Sequence, residues 1–310
     1  MPSIRGFSAL VAAAAAMAVV TQGAAQQPGH TGQVLRSGVD IVMVTATVFD
    51  AEGKLAQGLP REAFEIFEDG EKQTISQFTN ERVPVGLGLL LDTSDSMFGQ
   101  RIVDARLVVE RFLFELLDKS DQSFVLAFNH YPHIISRWAS TPGEVREALS
   151  GLKPSGATAI YDAVIGALPM IARRQRERAA LLVISDGADT ASDASVGDVR
   201  KALLRSDAFV YAVALDPPNR RAINARVNES ALAEITNQSG GRTEVVRDME
   251  GLRTATARIA EELNSQYVLA YASPHAIDGK YHSIRVRVIE PGYKVRARNG
   301  YVGQPKPKSE

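Results

Sequence analysis

A doubly wound α/β domain, with a smaller β unit built from the two ends of the chain, is the fold that three observations predict. Four uninterrupted apolar runs occupy the middle of the sequence, stretches with helical spacing of apolar residues separate or follow them, and short runs rich in β-branched and aromatic residues lie on either side. A strand buried on both faces of a parallel sheet reads as a continuous apolar run, whereas a strand with one wet face alternates. At 310 residues, with 45% hydrophobic and 23% charged residues, the chain has room for one large domain and a smaller one. A formal net charge of −1 argues against a dedicated nucleic-acid binder. The absence of cysteine excludes disulfides, thiolate metal sites and a cysteine nucleophile.

Residues 1–25 read as a signal peptide: a positive start in MPSIR, an apolar core too short for a comfortable membrane span, and Gly23-Ala24-Ala25 as small residues for cleavage. No later segment is long and apolar enough to cross a bilayer, so the expectation is an exported protein, periplasmic or secreted. Residues 26–36 form a polar linker. Residues 37–83 have β texture, with a strand over 39–49 and a hairpin of 63–67 with 72–78 around Asp69-Gly70, a pair suited to the tight φ > 0 turn. Residues 84–264 alternate βα. Strands are predicted at 85–91, 124–128, 180–184 and 209–215, with a weaker one at 134–137. Helices are predicted at 101–118, 159–174, 195–206, 229–238 and 249–264. Residues 265–303 return to short strands at 267–271, 281–289 and 293–298, followed by a tail over 304–310. Neither end holds enough strands for a two-layer core, so 37–83 and 265–303 are expected to pack together as a small sandwich. The alternating Arg285, Arg287, Arg296 and Arg298 are expected on its wet face.

The stretch LLLDTSDSM begins as a buried strand and ends in a cluster of oxygens. Asp92, Ser94 and Ser96 fall at alternate positions, so an irregular loop converges all three on one point, as a hard cation requires. Ser185-Asp186-Gly187 ends the 180–184 strand in the same way. Ligands of open α/β sheets bind outside the carboxyl ends of strands where the order reverses, and strands one and four flank that crevice in the commonest winding. A third loop, Ser155-Gly-Ala-Thr158, adds a hydroxyl ahead of the helix from Ala159.

Asp92, Ser94, Ser96, Thr158 and Asp186, in the words GLLLDTSDSM, GATAIYDAV and LLVISDGADT, form a pattern that resembles the metal-ion-dependent adhesion site of von Willebrand factor type A (VWA) domains. With Phe67-Glu-Asp-Gly-Glu-Lys-Gln-Thr-Ile-Ser-Gln-Phe78 before it and Arg298-Asn-Gly-Tyr301 after it, the chain is similar to an exported bacterial VWFA-related family. The resemblance implies a Rossmann-like VWA domain over 84–264. It also implies a divalent cation, Mg2+ first with Mn2+ or Ca2+ as alternatives. Ser94, Ser96 and Thr158 would bind it directly, Asp92 and Asp186 often through water, and a protein partner would present an Asp or Glu to it. Position 95, often Gly in the family, is Asp95 here and is expected to face solvent.

A metal-dependent, adhesion-type binding module is therefore the expected function, not an enzyme. A metal-dependent hydrolase and a structural envelope protein are the rival readings. Against hydrolysis, the sequence has no His-Glu-x-x-His, no Gly-x-Ser-x-Gly and no phosphate-cradling glycine loop. His130 and His133 lack an acidic companion at ligand spacing.

Overall fold

The computed structural model describes residues 40–138, 140–186, 189–216 and 229–304, so the expected signal peptide, the linker and residues 305–310 lie outside the described residues. The chain opens with β1 (Asp40–Phe49), β2 (Phe64–Glu68), β3 (Glu71–Gln73) and β4 (Ile75–Thr79). Next come β5 (Val85–Asp92), α1 (Gln100–Arg111), β6 (Gln122–Phe128), β7 (Pro132–Ser136), α2 (Pro142–Ser150) and α3 (Ile160–Ala172). They are followed by β8 (Arg178–Ser185), α4 (Val196–Leu204), β9 (Phe209–Leu215), α5 (Glu229–Ser239), β10 (Thr243–Val246) and α6 (Met249–Asn264). The last strands are β11 (Tyr267–Ser273), β12 (Tyr281–Val288), β13 (Lys294–Ala297) and β14 (Gly300–Val302).

Six strands form the central sheet in the order β10-β9-β8-β5-β6-β7. All neighbours are parallel except β7, which pairs antiparallel with β6 at one edge. The winding reverses between β5 and β8, the first and fourth strands of this sheet. Every residue of both strands is buried. Successive side chains of a strand point to opposite faces, and β5 divides accordingly. Leu87, Leu89 and Leu91 join a core with Val108 and Val109 of α1 and Ile259 of α6, while Leu90 joins a second core with Val164 of α3 and Ile235 of α5. Gly88 is required where the Phe124 ring and Leu181 close over the strand, because a Cβ there would overlap both.

The two ends of the chain interleave in a pair of four-stranded sheets, β13-β1-β11-β4 and β14-β12-β2-β3. β1 runs antiparallel to β11 from Asp40 opposite Ser273 to Ala46 opposite Tyr267. β2 runs antiparallel to β12 from Phe64 opposite Val288 to Glu68 opposite Ile284. Val44, Ile66, Tyr267, Leu269 and Tyr271 share one core, giving the β-sandwich-like unit.

Several elements differ from the sequence reading. The expected strand 72–78 breaks at Thr74, so β3 stays with β2 while β4 pairs with β11 in the other sheet. The helix expected over 101–118 is α-helical to Arg111 and continues as one π turn, Phe112–Leu116. Helix α2 and strand β10 were not anticipated. Arg296 and Arg298 do not line a wet face: Arg296 reaches the buried carboxylate of Glu262, and Arg298 donates to the carbonyls of Gly300 and Leu204. Arg285 and Arg287 are exposed and lie over the Phe67 ring.

Candidate metal centre

β5 and β8 end side by side, with Leu91 opposite Ile184, so their carboxyl-terminal residues emerge at one edge of the sheet. Asp92 is fully buried there. Its Oδ1 accepts the Ser94 N–H at 2.8 Å and its Oδ2 accepts the Ser185 hydroxyl at 2.5 Å. Burial pushes the Asp92 carboxyl up to about 6, the hydrogen bonds from Ser185 and Ser94 work against that rise, and the nearby Asp186 charge adds to it.

The first loop turns into a short 3-10 helix, Asp95–Met97, pinned by the fully buried Met97. This turn sets Ser94 Oγ 2.9 Å from Ser96 Oγ, and Ser96 Oγ donates to Asp186 Oδ1 at 3.0 Å. Asp95 is exposed, as the sequence reading expected. The loop carrying Thr158 is laced to the first loop by two backbone bonds, from Ser155 N–H to Thr93 O and from Asp95 N–H to Gly156 O, each 2.8 Å. Thr158 is tied to the third loop through its N–H, which donates to Thr190 Oγ1 at 3.0 Å, and its carbonyl, which accepts from Thr190 and Ala191. Its hydroxyl makes no hydrogen bond among the described residues. Asp92, Ser94, Ser96 and Asp186 thus belong to one hydrogen-bonded cluster, while Thr158 stands on the adjoining loop without a side-chain bond to them.

Two further residues take part: Arg101, which the sequence reading missed, and His130, which the sequence marks as no metal ligand without showing its place. Arg101, in the first turn of α1, donates from one guanidinium nitrogen to Asp186 Oδ2 at 2.8 Å and to the Ser96 carbonyl at 2.7 Å. A signal was available. A basic residue in a helix's first turn opposes the helix dipole, and α1 has no acid there to compensate. His130 is the second. Its ring fills the space a Cβ at Gly156 would need, and its Nδ1 accepts the Ala157 N–H at 3.3 Å.

The donor set fits a hard cation. It consists of hydroxyl and carboxylate oxygens with no nitrogen or sulfur ligand, and one carboxylate is fully buried, with burial opposing its charge. Residues 87–188 match the family model described as von Willebrand factor type A domain. The middle of this chain is a VWA domain. Such domains are typically metal-dependent protein-interaction modules. Proximal thread matrix protein 1 from the mussel byssus, whose structure has a zinc-occupied MIDAS motif, is 13% identical, with 64% of this chain and 50% of that one covered at a TM-score of 0.50. The likeness concerns the fold. The von Willebrand factor type A structure from Catenulispora acidiphila is 12% identical over 86% of this chain and 74% of that one, with a TM-score of 0.49. The conserved hypothetical protein BatB from Bacteroides thetaiotaomicron is 21% identical over 58% and 97%, with a TM-score of 0.48. No curated protein matches the chain. Among the described residues no helix is long and apolar enough to cross a membrane.

Proposed function

We propose that this VWA domain is a non-catalytic binding module that engages an acidic side chain of a protein partner through a divalent cation, Mg2+ in the first instance, outside the cytoplasm. The observation that carries the reading is the oxygen cluster Ser94–Ser96–Asp186 beside the buried Asp92, at the point where the strand order reverses. Ser94, Ser96 and Thr158 would hold the ion directly, with Asp92 and Asp186 behind them. A bound dication supplies an electrophilic position for an incoming anionic oxygen. Three neutral hydroxyls leave it short of anionic ligands, so a carboxylate from the partner is the natural completion. Phe98 and Tyr131, 79% and 75% exposed, lie in or beside the loops of the site and offer apolar contact area to a partner.

Calorimetric titration with Mg2+ should give one site per chain, and Asp92→Ala should weaken it at least 100-fold while far-UV circular dichroism stays native. Unchanged affinity in that variant would overturn the metal assignment. Partner capture from the envelope and secreted fractions should be lost in EDTA and in Asp92→Ala, and reduced in Thr158→Ala and Asp186→Asn. A partner held equally well in EDTA would exclude the mechanism even with the ion bound.

A further inference from the structure

A second constellation of metal-binding side chains sits in the β unit, built from elements that the VWA site does not use. Glu68 closes β2, Asp69 follows it in the hairpin turn at φ 49, His282 lies on the neighbouring β12, and His275 stands in the connection after β11. Asp69 is clamped across the strands: its N–H donates to the Ser283 carbonyl at 3.1 Å and its Oδ1 accepts the Ser283 N–H at 2.8 Å. His282 Nδ1 is 2.7 Å from Asp69 Oδ2 and 3.8 Å from Glu68 Oε1. His275 Nδ1 is 3.1 Å from Glu68 Oε1, and the two imidazoles stack with centroids 4.6 Å apart and planes 8° from parallel. One ligand atom from each of Glu68, Asp69, His275 and His282 lies within 4.8 Å of all the others.

Three features ask for a cation at this point. First, both ring nitrogens of His282 face carboxylates, since its Nε2 is 3.1 Å from each oxygen of Asp278. A neutral imidazole has one N–H, so one of these contacts needs a positive charge to complete it. Second, Glu68 is 2% exposed, yet only its Oε1 is bonded, by the hydroxyls of Ser273 at 2.9 Å and Tyr301 at 3.0 Å as well as by His275. Its Oε2 is buried with no hydrogen-bond partner, which is costly for a carboxylate. The Tyr271 hydroxyl, in the same core, is likewise buried with no hydrogen-bond partner. Third, the surrounding groups have the form of a metal's outer shell. With an ion at Nδ1, Asp278 would accept the Nε2–H of His282 and fix that tautomer, while Ser273 and Tyr301 orient Glu68.

We propose that Glu68, Asp69, His275 and His282 form a second metal site, selective for a borderline divalent cation of the Zn2+ type. Two imidazole nitrogens with two carboxylate oxygens suit zinc, whereas Mg2+ and Ca2+ prefer oxygen alone. Tetrahedral ligation at about 2.0–2.2 Å spaces ligand atoms roughly 3.3–3.5 Å apart. The recorded separations of 2.7, 3.1 and 3.8 Å lie on both sides of that spacing. The remaining adjustment falls to His275, which must turn out of its stack with His282. An ion lies in the plane of each imidazole that binds it, and two parallel planes share no such point; the 48% exposed side chain has room for that rotation. The ion would join the β2–β3 hairpin to the connection between β11 and β12, two segments from opposite ends of the chain.

The test uses zinc chloride and the full chain carrying Asp92→Ala, which disables the VWA site. Calorimetry on the metal-stripped protein should show one Zn2+ per chain, retained in a hundredfold excess of Mg2+. Adding His275→Ala should weaken the affinity at least 100-fold, and adding Asp278→Asn should weaken it about tenfold, both with native circular dichroism. Co2+ on the same background should give the intense visible absorption of four-coordinate geometry. In the wild-type chain His275→Ala should lower the zinc count by one, a comparison that stands even if Asp92→Ala does not fold. Absence of Zn2+ binding in Asp92→Ala and in the wild type, or an unchanged zinc count and affinity in His275→Ala, overturns the site and leaves the cluster as a proton-held network.

Discussion

Asp186 has a cationic neighbour already in place, and that neighbour would have to share the carboxylate with a metal ion. Arg101 holds Asp186 in a pair whose side chains are 13% and 6% exposed, where screening by water is weak. A dication at Ser94 and Ser96 would feel the guanidinium as a repulsive charge. Arg101→Gln is therefore expected to tighten Mg2+ binding about tenfold, roughly 1.4 kcal/mol. In EDTA the same variant should melt lower than wild type, because the Arg101–Asp186 pair is lost while the Asp92 carboxyl stays close by, and Mg2+ should restore the loss. Calorimetry and thermal melts with and without Mg2+ check both signs, and weaker Mg2+ binding would make Arg101 a support of the site instead. The cluster was legible in the sequence where the signal is local. Asp92, Ser94 and Ser96 alternate just past an apolar run, and a serine-acid pair ends another. Arg101 was not read because its partner lies 85 residues away, and the unfavourable charge in the first turn of α1 was the one clue.

The strands of the central sheet were legible because burial on both faces leaves no polar interruption. Shorter elements were harder. Among the described residues of helix α2, Val145 and Leu149 are the buried apolar ones, though Thr141 and Glu144 form a capping box that announces it. The switch at Thr74 from one small sheet to the other has no glycine or proline to mark it, because the pairing that causes it is with β11. The loop over 155–158 links element to site. Gly156 sits at φ +80, a conformation that favours glycine, and the His130 ring occupies the only direction a side chain would take. Gly156→Ala should therefore cost about 1–3 kcal/mol in denaturant melts, from backbone strain and the displaced ring. It should also lower Mg2+ affinity severalfold, although residue 156 offers no ligand, because Thr158 would shift with its loop. Adding His130→Ala should recover part of the stability by removing the clash, and no recovery would show that backbone strain alone is responsible.

At the scale of the whole molecule, a buried polar junction ties the β unit to the parallel sheet. Arg178, at the start of β8, donates to the Val83 carbonyl at 2.8 Å and to the Gln266 side chain. Gln266 in turn donates to Thr47 of β1 at 3.2 Å and to the Tyr211 hydroxyl of β9 at 3.1 Å. Beside it the fully buried Glu262 side chain is paired with Arg242 at 2.9 Å and with Arg296 from β13. Matching strand texture at the two ends made the β unit readable, but pairings more than two hundred residues apart left its strand order out of reach. That order decides what a truncation would do. β11 lies between β1 and β4, so deleting residues 265–304 removes β11 and β13 from one sheet and β12 and β14 from the other. Val44, Ala46 and Val48 of β1 and Ile66 of β2 would lose their cover, at about 1–3 kcal/mol for each large side chain exposed. The deletion also leaves Arg178 without Gln266 and Glu262 with Arg242 as its remaining cation, and lost hydrogen bonds to buried charges add about 1.5–3 kcal/mol each. A 40–264 fragment is expected to aggregate, or to be cut within 40–79 by limited proteolysis while the parallel sheet resists. The point variant Gln266→Leu, which keeps every strand, should lower stability by about 2–4 kcal/mol in urea melts, by stranding Arg178 and removing the bonds to Thr47 and Tyr211. A soluble, protease-resistant fragment would show that the ends fold independently, and a neutral Gln266→Leu would show that the junction does not couple them.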